Sequence, residues 1–219
     1  MTSRSIRAGG NDLYQRPLDG SAPETLLLAN SEVKQPSDWS PDGRFVLYRS
    51  RDRLGPATGL WALPLAPGSK PFPVVKTTFN NTDGQFSPDG QWIAYQSDES
   101  GRVEIYVQPF PGPGGRERIS TNGGAQVRWR HDGKELFYVG LDGRLMAVPV
   151  RLMSEHRQVE VGTPVPLFAT RIGGAVQANG VLRQQYMVSA DGQRFLMSTV
   201  PETTSNTPIT VIVNWKPES

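Results

Sequence analysis

Trp39-Ser40-Pro41-Asp42-Gly43 returns as Phe86-Ser87-Pro88-Asp89-Gly90, then as Trp129-Arg130-His131-Asp132-Gly133 and Val188-Ser189-Ala190-Asp191-Gly192. An apolar burst follows each copy: Phe45-Val46-Leu47-Tyr48, Trp92-Ile93-Ala94-Tyr95, Leu136-Phe137-Tyr138-Val139 and Phe195-Leu196-Met197. Successive aspartates stand 47, 43 and 59 residues apart. Ser-Pro-Asp-Gly makes a turn for physical reasons. Proline pre-sets φ at the second position, aspartate can bond nearby backbone amides, and glycine takes the positive φ that returns the chain to a strand. Asp-Gly is kept in all four copies, so the turn is expected in all four. A strand on either side makes a hairpin. A period of roughly 40–50 residues built from short strands is that of a β-propeller blade.

Two further strands follow each hairpin. The third reads Leu13–Pro17, Leu60–Pro64, Ile105–Pro109 and Leu145–Pro149, each closing on a proline that cannot donate to a ladder. The fourth is expected near Thr25–Leu28, Phe72–Val75, Glu117–Ser120 and Val165–Phe168. The fold class is therefore all-β, a propeller of four-stranded antiparallel blades with about four to five blade units. The units run over 11–30 (partial, the outer two strands only), 35–76, 83–120, 126–168 and 182–215. Ile209-Thr210-Val211-Ile212-Val213 is the expected third strand of the last unit. Arg151 to Thr163 and Val200 to Pro208 read as polar loops, and no segment has helical periodicity. The strand after each turn is apolar at nearly every position, which implies burial on both faces. Strand three would occur twice if one blade closed from both ends. The chain therefore reads as the C-terminal part of a longer propeller, as an open arc that could self-associate through its blade edges, or as a ring closed by a partner chain.

Composition excludes several classes. The net charge is +2 in 219 residues and the charges are interspersed, so no nucleic-acid partner is expected. With no cysteine, disulfides and Cys-ligated metals are ruled out. No 18-residue apolar run is present, so this segment is not expected to insert as a membrane helix. Met1 to Gly10 lacks the apolar core of a signal peptide. Localisation stays open, periplasmic or otherwise extracytoplasmic if the chain is part of an envelope protein.

The runs Trp39–Ser50 and Phe86–Ser97, with Ser97-Asp98-Glu99-Ser100-Gly101 and Glu104–Val107, resemble the repeat of TolB-like, WD40-like (PD40) propellers. The resemblance extends from about Asn11 to Trp215. The ending, Phe195–Met197 and then Ile209–Trp215, is similar to the C-terminal propellers of bacterial membrane-spanning serine/threonine kinases. The resemblance implies a binding or sensing module, often in the bacterial envelope, with no enzymatic activity of its own.

His131 and His156 are the only histidines and neither has a Cys or His neighbour, so no metal site is expected. Asp42, Asp89, Asp132 and Asp191 stand alone in their turns, and Asp98-Glu99 fits a β-turn, which is too few ligands for calcium. There is no Gly-x-Ser-x-Gly elbow, His-Arg-Asp or Asp-Phe-Gly, so neither hydrolase nor kinase chemistry is expected of this chain, and no cofactor. Trp39, Phe86 and Trp129 are expected to pack between blades. The variable polar positions of the innermost strands, Gln35, Asp38, Asp83, Gln85, Gln126 and Arg128, are the candidate binding residues. They would line a central opening, and a solvated channel wall fits them equally well. Arg128-Trp129-Arg130 reads as an anion or aromatic contact, or more simply as a structural tryptophan between solvated arginines. The expected function is a non-catalytic protein- or peptide-binding sensor module of a larger bacterial protein. The alternative is a regulatory propeller appended to an enzyme, a serine/threonine kinase upstream or a prolyl-oligopeptidase-like hydrolase downstream.

Overall fold

The computed structural model describes residues 2–7, 10–52, 55, 57–112, 114–155, 157–172 and 184–199. Every regular element among them is a β-strand. The second unit is β4 (Val33–Trp39), β5 (Phe45–Arg51), β6 (Gly59–Pro64) and β7 (Phe72–Val75), paired in that order. The third is β8 (Asn81–Phe86), β9 (Trp92–Ser97), β10 (Glu104–Pro109) and β11 (Glu117–Arg118). In the fourth, β12 (Ala125–Trp129), β13 (Glu135–Val139) and β14 (Arg144–Met153) are followed by β15 (Gln158–Val161) and β16 (Val165–Ala169). Of the last unit, β17 (Tyr186–Val188) and β18 (Phe195–Met197) are described, whereas the strand expected at 209–213 lies outside the described residues.

The first unit differs from expectation. Besides β2 (Gly10–Gln15) and β3 (Thr25–Leu28) it holds β1 (Thr2–Arg7), which runs antiparallel to β2 over its whole length. The unit thus has three strands rather than two. Its composition hid the strand, because Thr-Ser-Arg-Ser-Ile-Arg carries one aliphatic residue. One parallel bridge, Asn11 to Val33, joins this unit to the next. Lys34 reinforces the junction from a fully buried position. Its ammonium donates to the carbonyls of Asn30 (3.1 Å) and Glu32 (3.0 Å) and lies 3.8 Å from the Asp12 carboxylate.

All four repeat turns have one geometry. Gly43, Gly90, Gly133 and Gly192 each have φ of 71° and donate to the carbonyl three residues back at 2.9 Å. The aspartate accepts from the amide two residues on, as Asp42 does from Arg44 at 3.0 Å. In the third copy Arg130 replaces serine, and its guanidinium takes over the aspartate at 2.7 Å.

Each apolar burst faces two ways, because side chains alternate along a strand. In β9, Trp92 and Ala94 join Val127, Leu136 and Tyr138 of the fourth unit. Ile93 and Tyr95 join Leu47 and Leu60 of the second. In β13, Phe137 and Val139 turn to Tyr186, Val188 and Phe195 of the last unit. The core is thus a row of inter-blade layers, and β9 is buried at every position. In the last unit Met187 and Leu196 point away from this packing and are 63% and 73% exposed.

The stretch 151–163 is not a loop. β14 runs on through Pro149 to Met153 and pairs with β15. Leu152, Val159 and Val161 alternate with polar residues and pack on the layer between units three and four. Pro149 does not end its strand, since its carbonyl accepts from Gly162 N at 2.8 Å and only its missing N–H goes unused.

Candidate functional site

The innermost strands β4, β8 and β12 share a bulge. Register slips between Pro36 and Asp38, Thr82 and Gln85, and Ala125 and Arg128. The position six before the repeat aspartate, Pro36, Asp83 or Gln126, opens the bulge, and in β4 the residue skipped is Ser37. Asp83 and Gln126 take φ of 51° and 58°, the left-handed region that side-chain-bearing residues seldom enter. The extra residue breaks the alternation of the strand and so changes which side chains share a face.

Three of the six candidate residues come together there. The Asp38 carboxylate accepts from its neighbour Trp39 N and from Phe86 N of the next blade, both at 2.8 Å. Burial raises its pKa, and the two amide bonds and Arg128 oppose the shift. Burial pushes the Asp83 carboxyl up to about 6, against the attraction of Arg49 and Arg128. Arg128 donates to Tyr186 O at 3.4 Å and lies 6.0 Å from the centre of the Tyr186 ring. Burial lowers its pKa, and Tyr186, Asp38 and Asp83 oppose that shift. Blades two, three and four each supply one charge to this cluster.

The other three candidates part company. Gln85 is half-buried at the channel mouth, and its carbonyl accepts from Trp129 Nε1 at 3.4 Å. Gln35 is half-buried on β4 opposite Arg49 and does not border the cavity described below. Gln126 is fully buried rather than lining an opening. Its amide exchanges bonds with Gln185, Nε2 to Oε1 at 2.9 Å and Gln185 N to Oε1 at 2.9 Å. Its own N–H donates to Gln96 Oε1 at 3.1 Å, and Gln96 Nε2 donates to Thr82 Oγ1 at 2.9 Å. A buried amide is stable only when its polar atoms are paired, and this chain of amides pairs them across three blades.

Above the cluster lies a cavity of about 470 Å³ whose wall is repeat-equivalent. Trp39, Phe86, Trp129 and Val188 occupy one tier, and Pro41, Pro88, His131 and Ala190 the rim above it. Asp38 and Gln85 also line it. The three aromatics do pack between blades as expected, each against its own apolar layer, and also border this space. The sequence reading missed His131 as a rim residue, although its place one residue before the repeat aspartate marked it. Among the described residues no three His, Asp or Glu side chains converge as metal ligands do.

Raising the folded-state pKa of Asp83 has a signed consequence. The folded form binds the proton more tightly than the unfolded chain, whose value is 3.8. The stability gained from that proton is complete below 3.8 and is lost as pH rises through about 6. Asp83 is half-buried and solvent screens part of this charge, so at pH 7 the wild type carries a penalty well below about 3 kcal/mol that Asp83→Asn lacks. Urea midpoints should favour the variant above pH 6 and converge with wild type toward pH 4. A gap that does not change with pH would rule out a desolvated charge at this position.

No protein-family model matches the chain. Over 118 residues, 53% of this chain, it is 30% identical to the Tol-Pal system protein TolB of Anaeromyxobacter dehalogenans. The propeller is TolB-like. The match spans 26% of that TolB, so this chain aligns with about a quarter of that protein's length. The fold agrees. A structure described as TolB, from Agrobacterium tumefaciens, superposes with a TM-score of 0.59 at 19% identity, covering 75% of this chain and 61% of that one. An oligogalacturonate lyase in complex with manganese gives 0.61 at 15% identity, covering 86% of this chain and 50% of that one. At such identities the likeness is one of fold, and fold alone does not assign a function.

Proposed function

We propose that this TolB-like propeller is a non-catalytic binding or sensor module of a larger bacterial protein, and that it takes a protein or peptide segment at the channel mouth. One observation carries the reading. Three aromatic side chains and two polar ones, Asp38 and Gln85, converge from successive blades on one cavity of about 470 Å³. Concave sites with apolar walls and a few placed polar groups are where ligands bind. Aromatic rings supply contact area at little cost in side-chain entropy, as protein-recognition surfaces require. A regulatory propeller carried by an enzyme would use the same mouth to gate or position, and the reading frames flanking the chain distinguish the two.

The test is selection of binders from a random peptide library displayed on phage, followed by titration of the winners. Trp129→Ala opens the mouth and Gln85→Arg blocks it, with thermal unfolding of each variant checking that the blade packing of Trp129 survives. Selected peptides are expected to lose at least tenfold in affinity to both variants, the scale of a lost aromatic anchor. Peptides that bind both variants as well as wild type would move the site elsewhere.

A further inference from the structure

The wall of the channel mouth is chemically one-sided. Trp39, Phe86 and Trp129 supply aromatic rings, Pro41 and Pro88 further apolar surface, and Asp38 the only carboxylate. Among the described residues no lysine or arginine lines it. Asp38 is half-buried there, and its two oxygens accept one amide each, from Trp39 and from Phe86. Both donors are neutral. They fix where the carboxylate stands and leave its charge in place. An ionised carboxylate has about four acceptor sites, so about two remain for a ligand. The side-chain amide of Gln85 lines the same wall, and no hydrogen bond engages it among the described residues.

The cations near the mouth are turned to other groups. Arg130 pairs with Asp132 at 2.7 Å and with Glu135 at 2.9 Å. Arg128 donates to the carbonyls of Tyr186 and Val127. It attracts Asp38, but the two form no ion pair among the described residues. Lys34, on the same strand as Asp38, donates to Asn30 and Glu32. None of the three borders the cavity.

Aromatic rings attract cations, more strongly where water is excluded. A half-buried carboxylate without a cationic partner favours a positive neighbour. Lysine and arginine satisfy both demands, because an aliphatic stem packs on apolar surface while the charged head finds a polar partner. An anionic side chain would be repelled by Asp38. A neutral aliphatic one would cover Asp38 and Gln85 without pairing them.

We propose that the mouth is a receptor for a cationic side chain, a lysine or arginine of the bound peptide, with its stem among Trp39, Phe86 and Trp129 and its charge against Asp38. Gln85 accepts a further N–H from the same group. This rests on the mouth being the binding site, and it names what that site selects.

Four peptides test it on the chain as it stands at pH 7.5. They are acetyl-Gly-Gly-X-Gly-Gly-amide with arginine, lysine, norleucine or glutamate at X. Blocked ends leave X as the sole charge. Binding is read from the indole N–H resonance of Trp129 in nitrogen-15-labelled protein, assigned by its loss in Trp129→Phe. The arginine and lysine peptides should bind at least about tenfold more tightly than the norleucine peptide, and the glutamate peptide most weakly. The gap between arginine and lysine tells which head group the site prefers. Asp38→Asn keeps the side-chain size and removes the charge, so the ratio of arginine to norleucine affinity should fall to within about threefold. Trp39→Leu keeps Asp38 and removes one ring, and should lower that ratio as well. It supplies the same reading if Asp38→Asn does not fold.

Equal affinity for all four peptides overturns the cation preference and leaves the mouth as a peptide site. A preference for arginine that neither variant changes places the attraction elsewhere on the surface and overturns it too. So does a resonance that no peptide moves at millimolar concentration. Phage-selected peptides then decide separately whether the mouth binds peptides at all.

Discussion

Trp92→Ala should cost about 3–5 kcal/mol, among the largest losses of any single substitution in this chain. Trp92 is 1% exposed and heads the apolar layer between blades three and four, against Val107, Ile119, Val127 and Leu136. Alanine would leave a cavity walled by two rigid sheets, which cannot collapse into it as a loop could. The indole N–H offers a control. It is buried and has no hydrogen-bond partner among the described residues, so phenylalanine removes an unsatisfied donor while keeping most of the ring volume. Trp92→Phe should therefore cost less than about 1.5 kcal/mol. Urea unfolding followed by circular dichroism reads both. Equal losses in the two variants would mean that the indole nitrogen, and not the packed volume, holds the layer.

Glu104→Ala ranks with it, at about 3–5 kcal/mol, because it strips two buried donors of their acceptor. Glu104 is fully buried at the start of β10. One carboxylate oxygen accepts from Gly123 N at 2.9 Å and from the Ser120 hydroxyl, and that hydroxyl accepts from Ile105 N at 2.8 Å. The other oxygen accepts from Arg102 Nε at 2.7 Å. The carboxylate thus ties β10 to the segment that leads into blade four. Alanine would leave the Gly123 amide and the Ser120 hydroxyl short of an acceptor in the interior. Arg102 is 49% exposed, so Arg102→Ala removes a screened ion pair and an exposed hydrogen bond to the Thr121 carbonyl, and should cost less than about 1 kcal/mol. If the two variants lose the same amount in urea, the ion pair rather than the buried amide bond is what fastens the crossing.

Much of the architecture was legible in order of sequence. The four Asp-Gly turns, the apolar strand behind each and the third and fourth strands of the central blades are local features, written in residues that meet within a hairpin. The exceptions have physical causes. β1 went unseen because polar residues form a strand there when a neighbour supplies the ladder. The hairpin of β14 and β15 went unseen because a proline and a polar stretch suggested a break, while the packing of Leu152, Val159 and Val161 overrode local preference.

The site divides in the same way. That inner-strand positions would be polar, variable and gathered on a common axis follows from repeat equivalence, and Asp38, Asp83, Gln85 and Arg128 could be named from it. Which of them would share a charge cluster did not follow. Asp38 bonds the amide of Phe86, 48 residues along the chain, and Arg128 reaches Tyr186 O, 58 residues along. Contacts at that range depend on how blades stack. The bulge matters most. By adding one residue to each inner strand it cancels the two-residue alternation on which a reading of strands relies. Gln126 is thereby sealed among amides and Asp83 left among arginines, though both stand six residues before their aspartates. The sequence alone determined the repeat and the chemistry available to the inner strands. The tertiary structure decided which side chains meet, because that is set by blade packing and by a break in register that leaves no mark on the pattern of residues.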